Sequence, residues 1–183
     1  MKTKIINRLC EVIINYNNTN YSNYDPILVD AHSEIGKQII SYGFTEKHIL
    51  DTIFKKLKKT KNHICLDVGA NIGSHSIFFS NYFKKVISFE PVLRTFKILQ
   101  INTEKKNIEV YNYALSNTEK KHPIYINHKS SGLSSLELKN FNNIQYTLTK
   151  IFDNLKIPNK DLIGMVKIDV EGHEINVLEG MKN

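Results

Sequence analysis

Four residues near the middle of the chain, Asp67, Gly69, Gly73 and Glu90, have the types and spacing to hold a ligand that carries a nucleoside. Gly69 and Gly73 frame the turn Gly-Ala-Asn-Ile-Gly, through which backbone can approach a bound molecule closely. A helix beginning near Gly73 would add free N–H groups and the positive end of its dipole. Glu90 follows Gly73 by seventeen residues, and a carboxylate there can accept hydrogen bonds from both hydroxyls of a ribose. A dinucleotide and S-adenosylmethionine share these needs. A dinucleotide loop calls for G-x-G-x-x-G, so that backbone packs against a pyrophosphate. This turn lacks the central glycine, and Asp67 just before it suits a ligand with an ammonium group and no phosphate. Both differences favour S-adenosylmethionine over a nicotinamide cofactor.

A second group, Asp169, Glu171 and His173, falls at the end of a later strand. Methyl transfer is an in-line displacement in which positioning and desolvation carry much of the rate. A hydroxyl acceptor still profits from a general base, for which Asp169 ranks first, Glu171 second and His173 third. His173 opens a helix, where histidine also serves purely structural ends. Lys167, on the preceding strand, could position the acceptor or neutralise Asp169. Asp169, Glu171, His173 and Glu174 sit too close along one strand and turn to converge on a single ion, so no metal is expected.

The elements that must carry these residues follow from periodicity. His63–Val68 reads as a buried strand, residues 74–83 as a helix, Val86–Phe89 as a strand, Leu93–Asn102 as a helix, and Ile108–Tyr113 as a third strand. A fourth strand, Gly164–Asp169, leads through Val170-Glu-Gly-His173 into a helix reaching Leu178. Strands alternating with helices of about ten residues call for right-handed crossovers and a parallel sheet covered on both faces. Phe78, Phe79, Tyr82 and Phe83 fall at helical spacing and read as core. Residues 117–162 break the rhythm and read as an insertion, a small hairpin followed by a helix near Leu148–Leu155. Residues 1–24 read as one short helix and a linker, and Ser33–Leu57 as two amphipathic helices joined at Tyr42-Gly43. The organisation expected is an N-terminal helical segment, 1–60, packed on a core, 61–183.

Composition excludes more than it assigns. With 183 residues and 41% hydrophobic content the chain suits one globular domain. The net charge of +7 would ordinarily raise nucleic-acid binding. Of its 25 basic residues, however, only Arg8 and Arg94 are arginines, and the lysine runs read as solvated surface. Cys10 and Cys65 have no ligand spacing, so neither a disulfide framework nor a zinc site is expected. No apolar run approaches the ~18 residues of a membrane span, and a cytoplasmic protein is the default expectation.

Four blocks in order, Leu66-Asp-Val-Gly-Ala-Asn-Ile-Gly73, Phe89-Glu-Pro91, Ala114-Leu-Ser116 and Val166-Lys-Ile-Asp-Val-Glu-Gly-His-Glu174, resemble the successive signatures of FkbM methyltransferases. Weaker similarities are Tyr42-Gly43 with Glu46, Ser131-Gly-Leu-Ser-Ser135 and Asp153, so that the likeness covers roughly residues 40–181. The resemblance implies a Rossmann-like class I methyltransferase fold. It implies that Asp67, Gly69, Ala70, Asn71 and Gly73 surround the methionine part of the cofactor and that Glu90 holds the ribose. Pro91 and Val92, with Asn112, Tyr113 and Ala114, would frame the adenine. Asp169 would face the sulfonium and the acceptor.

The activity so implied is S-adenosylmethionine-dependent O-methylation of a sugar or glycoconjugate hydroxyl, or of a small molecule. The alternatives are a ribose 2′-O methyltransferase of nucleic acid, disfavoured by the scarcity of arginine, and an inactive binding module. The resemblance also sets an expectation for the sheet, which has seven strands in that fold, whereas the chain reaches Asn183 just after the fourth strand's helix. A fragment or truncated product is favoured over completion of the sheet by a second chain or a homo-oligomer.

Overall fold

A computed structural model describes residues 11–14, 27–31, 33–43, 45–55, 60–104, 106–126, 134–136 and 143–182. The central layer is a four-stranded parallel sheet of β3 (Ile64–Val68), β4 (Lys85–Phe89), β5 (Ile108–Tyr111) and β9 (Ile163–Ile168), in the order β5-β4-β3-β9. Strand β3 runs between β4 and β9, and its five residues are all buried, as expected of a strand covered on both faces. Strand order reverses at β3, where the crossovers to β4 and from β9 diverge. Ligands gather at such a switch point, at the carboxyl ends of the strands.

Alternation along β3 separates two cores. Cys65 packs with Leu50, Phe78, Phe79, Phe83 and Val86, drawing on the helices α2 (Lys47–Phe54) and α3 (Ser74–Ser80). Ile64, Leu66 and Val68 point the other way, with Ile87, Phe89, Leu115, Phe152 and Val177, the last on α5 (Glu174–Glu179). Phe79, Phe89 and Leu66 are almost wholly buried, and truncating a buried Phe or Leu to Ala costs about 2–5 kcal/mol. Burial also pushes the Cys65 thiol far above its ordinary value, so it stays an inert packing group.

The N-terminal region differs from its reading as a short helix and linker. Glu11–Ile14 forms β1, paired antiparallel with β2 (Ile27–Asp30); residues 1–10 and 15–26 lie outside the described set. Two amphipathic helices follow, α1 (Glu34–Tyr42) and α2. Ser33 caps α1 by accepting the Gly36 N–H at 2.9 Å, and Gly43, left-handed at φ 81°, ends it at the expected break. Asn102, on α4 (Leu93–Thr103), docks this region. Its side chain accepts from Leu28 N at 2.7 Å and donates to the carbonyls of Leu28 at 3.0 Å and Ile72 at 2.8 Å.

The insertion forms a second sheet, ordered β6-β8-β7, from β6 (Ala114–Leu115), β7 (Lys120–Ile126) and β8 (Asn143–Lys150). The β7–β8 pair is the antiparallel hairpin expected. The helix expected at Leu148–Leu155 is not formed. Residues 148–150 belong to β8, and only Phe152–Asn154 turn, as a single 3-10 turn. Thr147 and Thr149, β-branched and buried on one face of β8 as it pairs with β7, outcompete local helix propensity there. Residues 127–133 and 137–142, including most of the Ser-rich loop, lie outside the described set. No helix among the described residues is long and apolar enough to cross a membrane.

Candidate functional site

A cavity of about 300 Å³ opens at the carboxyl ends of β3, β4 and β9. The turn after β3 forms one side of it. Gly69 (φ 77°), Asn71 (φ 52°) and Gly73 (φ 93°) all take left-handed backbone, which glycine adopts without strain and asparagine tolerates. At Gly69 a Cβ would also overlap the carbonyl oxygen of Asp169, so this turn and the end of β9 touch backbone to backbone. At Gly73 a Cβ would stand 2.6 Å from Leu99 Cδ1, which makes this glycine a matter of packing against α4.

Glu90, just past β4, is 6% exposed. Its Oε2 accepts from Asn71 N at 3.0 Å and its Oε1 from Val92 N at 2.8 Å. Burial pushes its carboxyl up to about 7, although those two N–H groups pull the other way. Each oxygen has taken one donor and retains a lone pair. Asn71 Oδ1 is buried and accepts no hydrogen bond from any described residue.

Asp67 is wholly buried, with Oδ2 accepting from Ser76 Oγ at 2.6 Å and Oδ1 lying 3.1 Å from Lys167 Nζ. Lys167 also donates to the carbonyl of Gly69 at 3.0 Å and stands 3.8 Å from Asp169. Burial alone would lower the Lys167 ammonium, but its pairing with Asp67 and Asp169 outweighs that and holds it above the ordinary lysine value. The lysine thus ties β9 to the glycine turn.

Asp169, Glu171 and His173 line the cavity from the end of β9 onward. Glu171 is left-handed at φ 53°, and burial, with Asp169 and Glu174 nearby, raises its carboxyl. His173 is buried, its Nε2 3.0 Å from Ser116 Oγ, so it joins α5 to the strand end at β6. The insertion closes this side, since Ser135 Oγ donates to the Glu171 carbonyl at 2.7 Å while Ile124 and Leu136 contribute apolar wall.

Of the residues expected at a site, Gly69, Ala70, Asn71, Glu90, Pro91, Val92, Ala114, Lys167, Asp169, Glu171 and His173 line the cavity. Asp67, Gly73 and Asn112 stand behind it. Asn112 Nδ2 donates to the carbonyls of Glu90 and Pro91 at 2.9 and 3.2 Å, holding the strand end that presents them. Tyr113 packs on Phe89 in the core beneath. The sequence reading missed a polar wall from the N-terminal region, formed by Glu34, Gln38, Thr45 and Glu46 with Ser74 and His75 of α3. Thr45 and Ser74 hydroxyls bond at 3.0 Å, and His75 Nε2 stands 3.4 Å from Glu46 Oε2. Burial holds His75 below the usual imidazole value. The only signal for this wall was Glu46 after Tyr42-Gly43.

Sheet order, the twin-glycine turn and a buried acid at the next strand end define a Rossmann-like domain of the class I methyltransferase type. Comparison with known proteins narrows this. Residues 67–183 match the methyltransferase FkbM domain, and the chain belongs to that family. It is 31% identical over 132 residues to the hexuronic acid methyltransferase AglP of Haloferax volcanii, covering 67% of this chain and 52% of that protein. It is 23% identical over 142 residues to methyltransferase 1 of Beauveria bassiana, covering 63% and 57% respectively. The chain therefore spans about half the length of these curated relatives. Among solved structures, the YcgJ protein of Bacillus subtilis aligns with 38% of this chain and 31% of its own, at 19% identity and a TM-score of 0.34.

Proposed function

We propose that this chain binds S-adenosylmethionine and supports O-methylation of a hydroxyl, on a sugar or glycoconjugate first and a small molecule second. The observation that carries this is Glu90. A buried carboxylate at the β4 end has one lone pair left on each oxygen and stands beside an unsatisfied Asn71 Oδ1. Two ribose hydroxyls suit the former, and an ammonium or amide donor suits the latter. The site residues thus fit the cofactor, which when bound supplies a methyl group activated by positively charged sulfur. Pro91, Val92 and Ala114 offer an apolar slot for a flat base.

The rest of the chemistry belongs to the chain. Asp169, held near Lys167 and exposed enough to meet an acceptor, is the first candidate to take the hydroxyl proton, and Glu171 is the second. His173 is spoken for by Ser116 and serves better as a positioning residue. Similarity to a protein named as a hexuronic acid methyltransferase supports a sugar as the acceptor class.

Calorimetric titration with S-adenosylhomocysteine tests the reading. Saturable one-to-one binding that Glu90→Ala abolishes in a folded protein is the expected result, and no heat from folded wild type overturns it.

A further inference from the structure

The walls of the cavity bear an uneven charge. Among the described residues, four carboxylates besides that of Glu90 face it, on Glu34, Glu46, Asp169 and Glu171, against one ammonium, that of Lys167. That ammonium is already committed, 3.1 Å from buried Asp67 and 3.0 Å from the Gly69 carbonyl, so it offers little to an incoming anion. His75 brings no compensating charge near neutrality, because burial holds it in the neutral form.

Glu46 and Asp169 come from opposite ends of the structure, the start of α2 and the end of β9. Both nevertheless act electrostatically on the same two groups, Lys167 and His75, so they look onto the same part of the cavity. Glu46 is held there in left-handed backbone at φ 51° and half-exposed, a conformation that a glutamate adopts only when its surroundings impose it. It lies ahead of the 67–183 family match, in the Tyr42–Glu46 stretch where the family likeness is weaker. Asn71 Oδ1 adds a buried acceptor without a donor. Among the described residues the cavity is thus rich in acceptors and negative charge and poor in cations.

We propose that the methyl acceptor is a hydroxyl compound without negative charge, a neutral or amine-bearing sugar, and that Glu46 selects it against carboxylate-bearing sugars. This rests on the reading of the cavity as a cofactor and acceptor site. Hydroxyls and ammonium groups donate to the carboxylates that line it. A carboxylate in the same place meets like charge and finds no free cation among the described residues to pair with.

The chain saturated with S-adenosylhomocysteine is titrated with methyl glucoside, methyl glucosaminide and methyl glucuronide, followed by saturation-transfer NMR. The glucuronide is expected to bind at least about tenfold more weakly than either of the others, a difference of about 1.4 kcal/mol. In Glu46→Gln, with folding checked by circular dichroism, the discrimination shrinks, and Glu46→Asp retains it. Failure of S-adenosylhomocysteine itself to bind overturns the underlying reading. If it binds, then a glucuronide that binds as well as the glucoside, or discrimination unaltered in Glu46→Gln, overturns this inference alone, and a panel in which no sugar binds overturns the sugar acceptor with it.

Discussion

Glu90 has two consequences of opposite sign over one pH range. Its carboxyl is raised from 4.5 to about 7 in the fold, so the protonated form is favoured there. That contribution to stability is fully present below about 4.5, where folded and unfolded chains both hold the proton, and is lost as pH rises through about 7. The ligand-free chain should therefore lose stability across that window, as urea midpoints at a series of pH values would record. Ribose hydroxyls donate best to the ionised form, so S-adenosylhomocysteine affinity should rise over the same window. Glu90→Gln should flatten both curves. Its amide also turns a donor toward Asn71 N or Val92 N. Hydrogen bonds to a charged group contribute about 1.5–3 kcal/mol each, so affinity near pH 8 should fall roughly ten- to hundredfold. Lys167 makes a second prediction. Lys167→Met strips Asp67, wholly buried, of its cation, and breaking a buried pair from one side costs about 3–5 kcal/mol. Adding Asp67→Asn should restore at least about half of that loss, since the uncompensated charge is then gone. A double mutant no more stable than Lys167→Met would show that the pair is not what holds the turn.

Among the elements, those with strong periodicity are legible in the sequence itself. Strand β3, the glycine turn, β4 and β9 stand within a residue or two of expectation, because a fully buried parallel strand followed by a tight turn leaves little else for such a sequence to do. Two elements were not legible. The pairing of β1 with β2 depends on a partner reached across an intervening stretch, and short apolar clusters among asparagines carry no period of their own. The helix expected near Leu148–Leu155 gives way at its start to β8, because pairing with β7 decides the matter there. The cavity wall of Glu34, Glu46 and His75 escaped for a related reason, since it arises from docking of separate elements rather than from any local motif. That docking is itself testable. Asn102 substitutes for a neighbouring strand, satisfying the N–H and C=O of Leu28 and the carbonyl of Ile72. Asn102→Ala leaves the buried Ile72 carbonyl and the part-buried N–H and C=O of Leu28 unpaired, and at about 1–3 kcal/mol for a buried group and less for a part-buried one, a loss of about 2 kcal/mol is expected. Amide exchange should quicken in β2 and α1 beyond what the global loss explains, and uniform quickening would mean that Asn102 acts only on the core.

Across the whole molecule the charge is divided, with a net +7 on the chain and a carboxylate-lined cavity within it. The excess is carried almost entirely by lysine, a strongly hydrated point charge suited to a solvated surface. The two readings of that charge, as a nucleic-acid footprint or as solubilising surface, make different demands on the cavity. An enzyme acting on a ribose within a nucleic acid must bring flanking phosphates to the mouth of its site and needs free cations there to receive them. Here the mouth presents Glu46, Asp169 and Glu171, and the ammonium of Lys167 is paired with Asp67. Any attraction of the lysine surface for RNA would then be non-specific, steeply weakened by salt, and uncoupled from the cavity. Single-stranded RNA should leave the dissociation constant of S-adenosylhomocysteine unchanged within about twofold at physiological ionic strength, because binding coupled by even 1 kcal/mol would shift it about fivefold. Calorimetry with and without RNA, over a salt series, measures both quantities. Reciprocal tightening, in which RNA and S-adenosylhomocysteine each strengthen the other's binding, would show that phosphates do reach this site, and the sugar reading would give way to a nucleic-acid one.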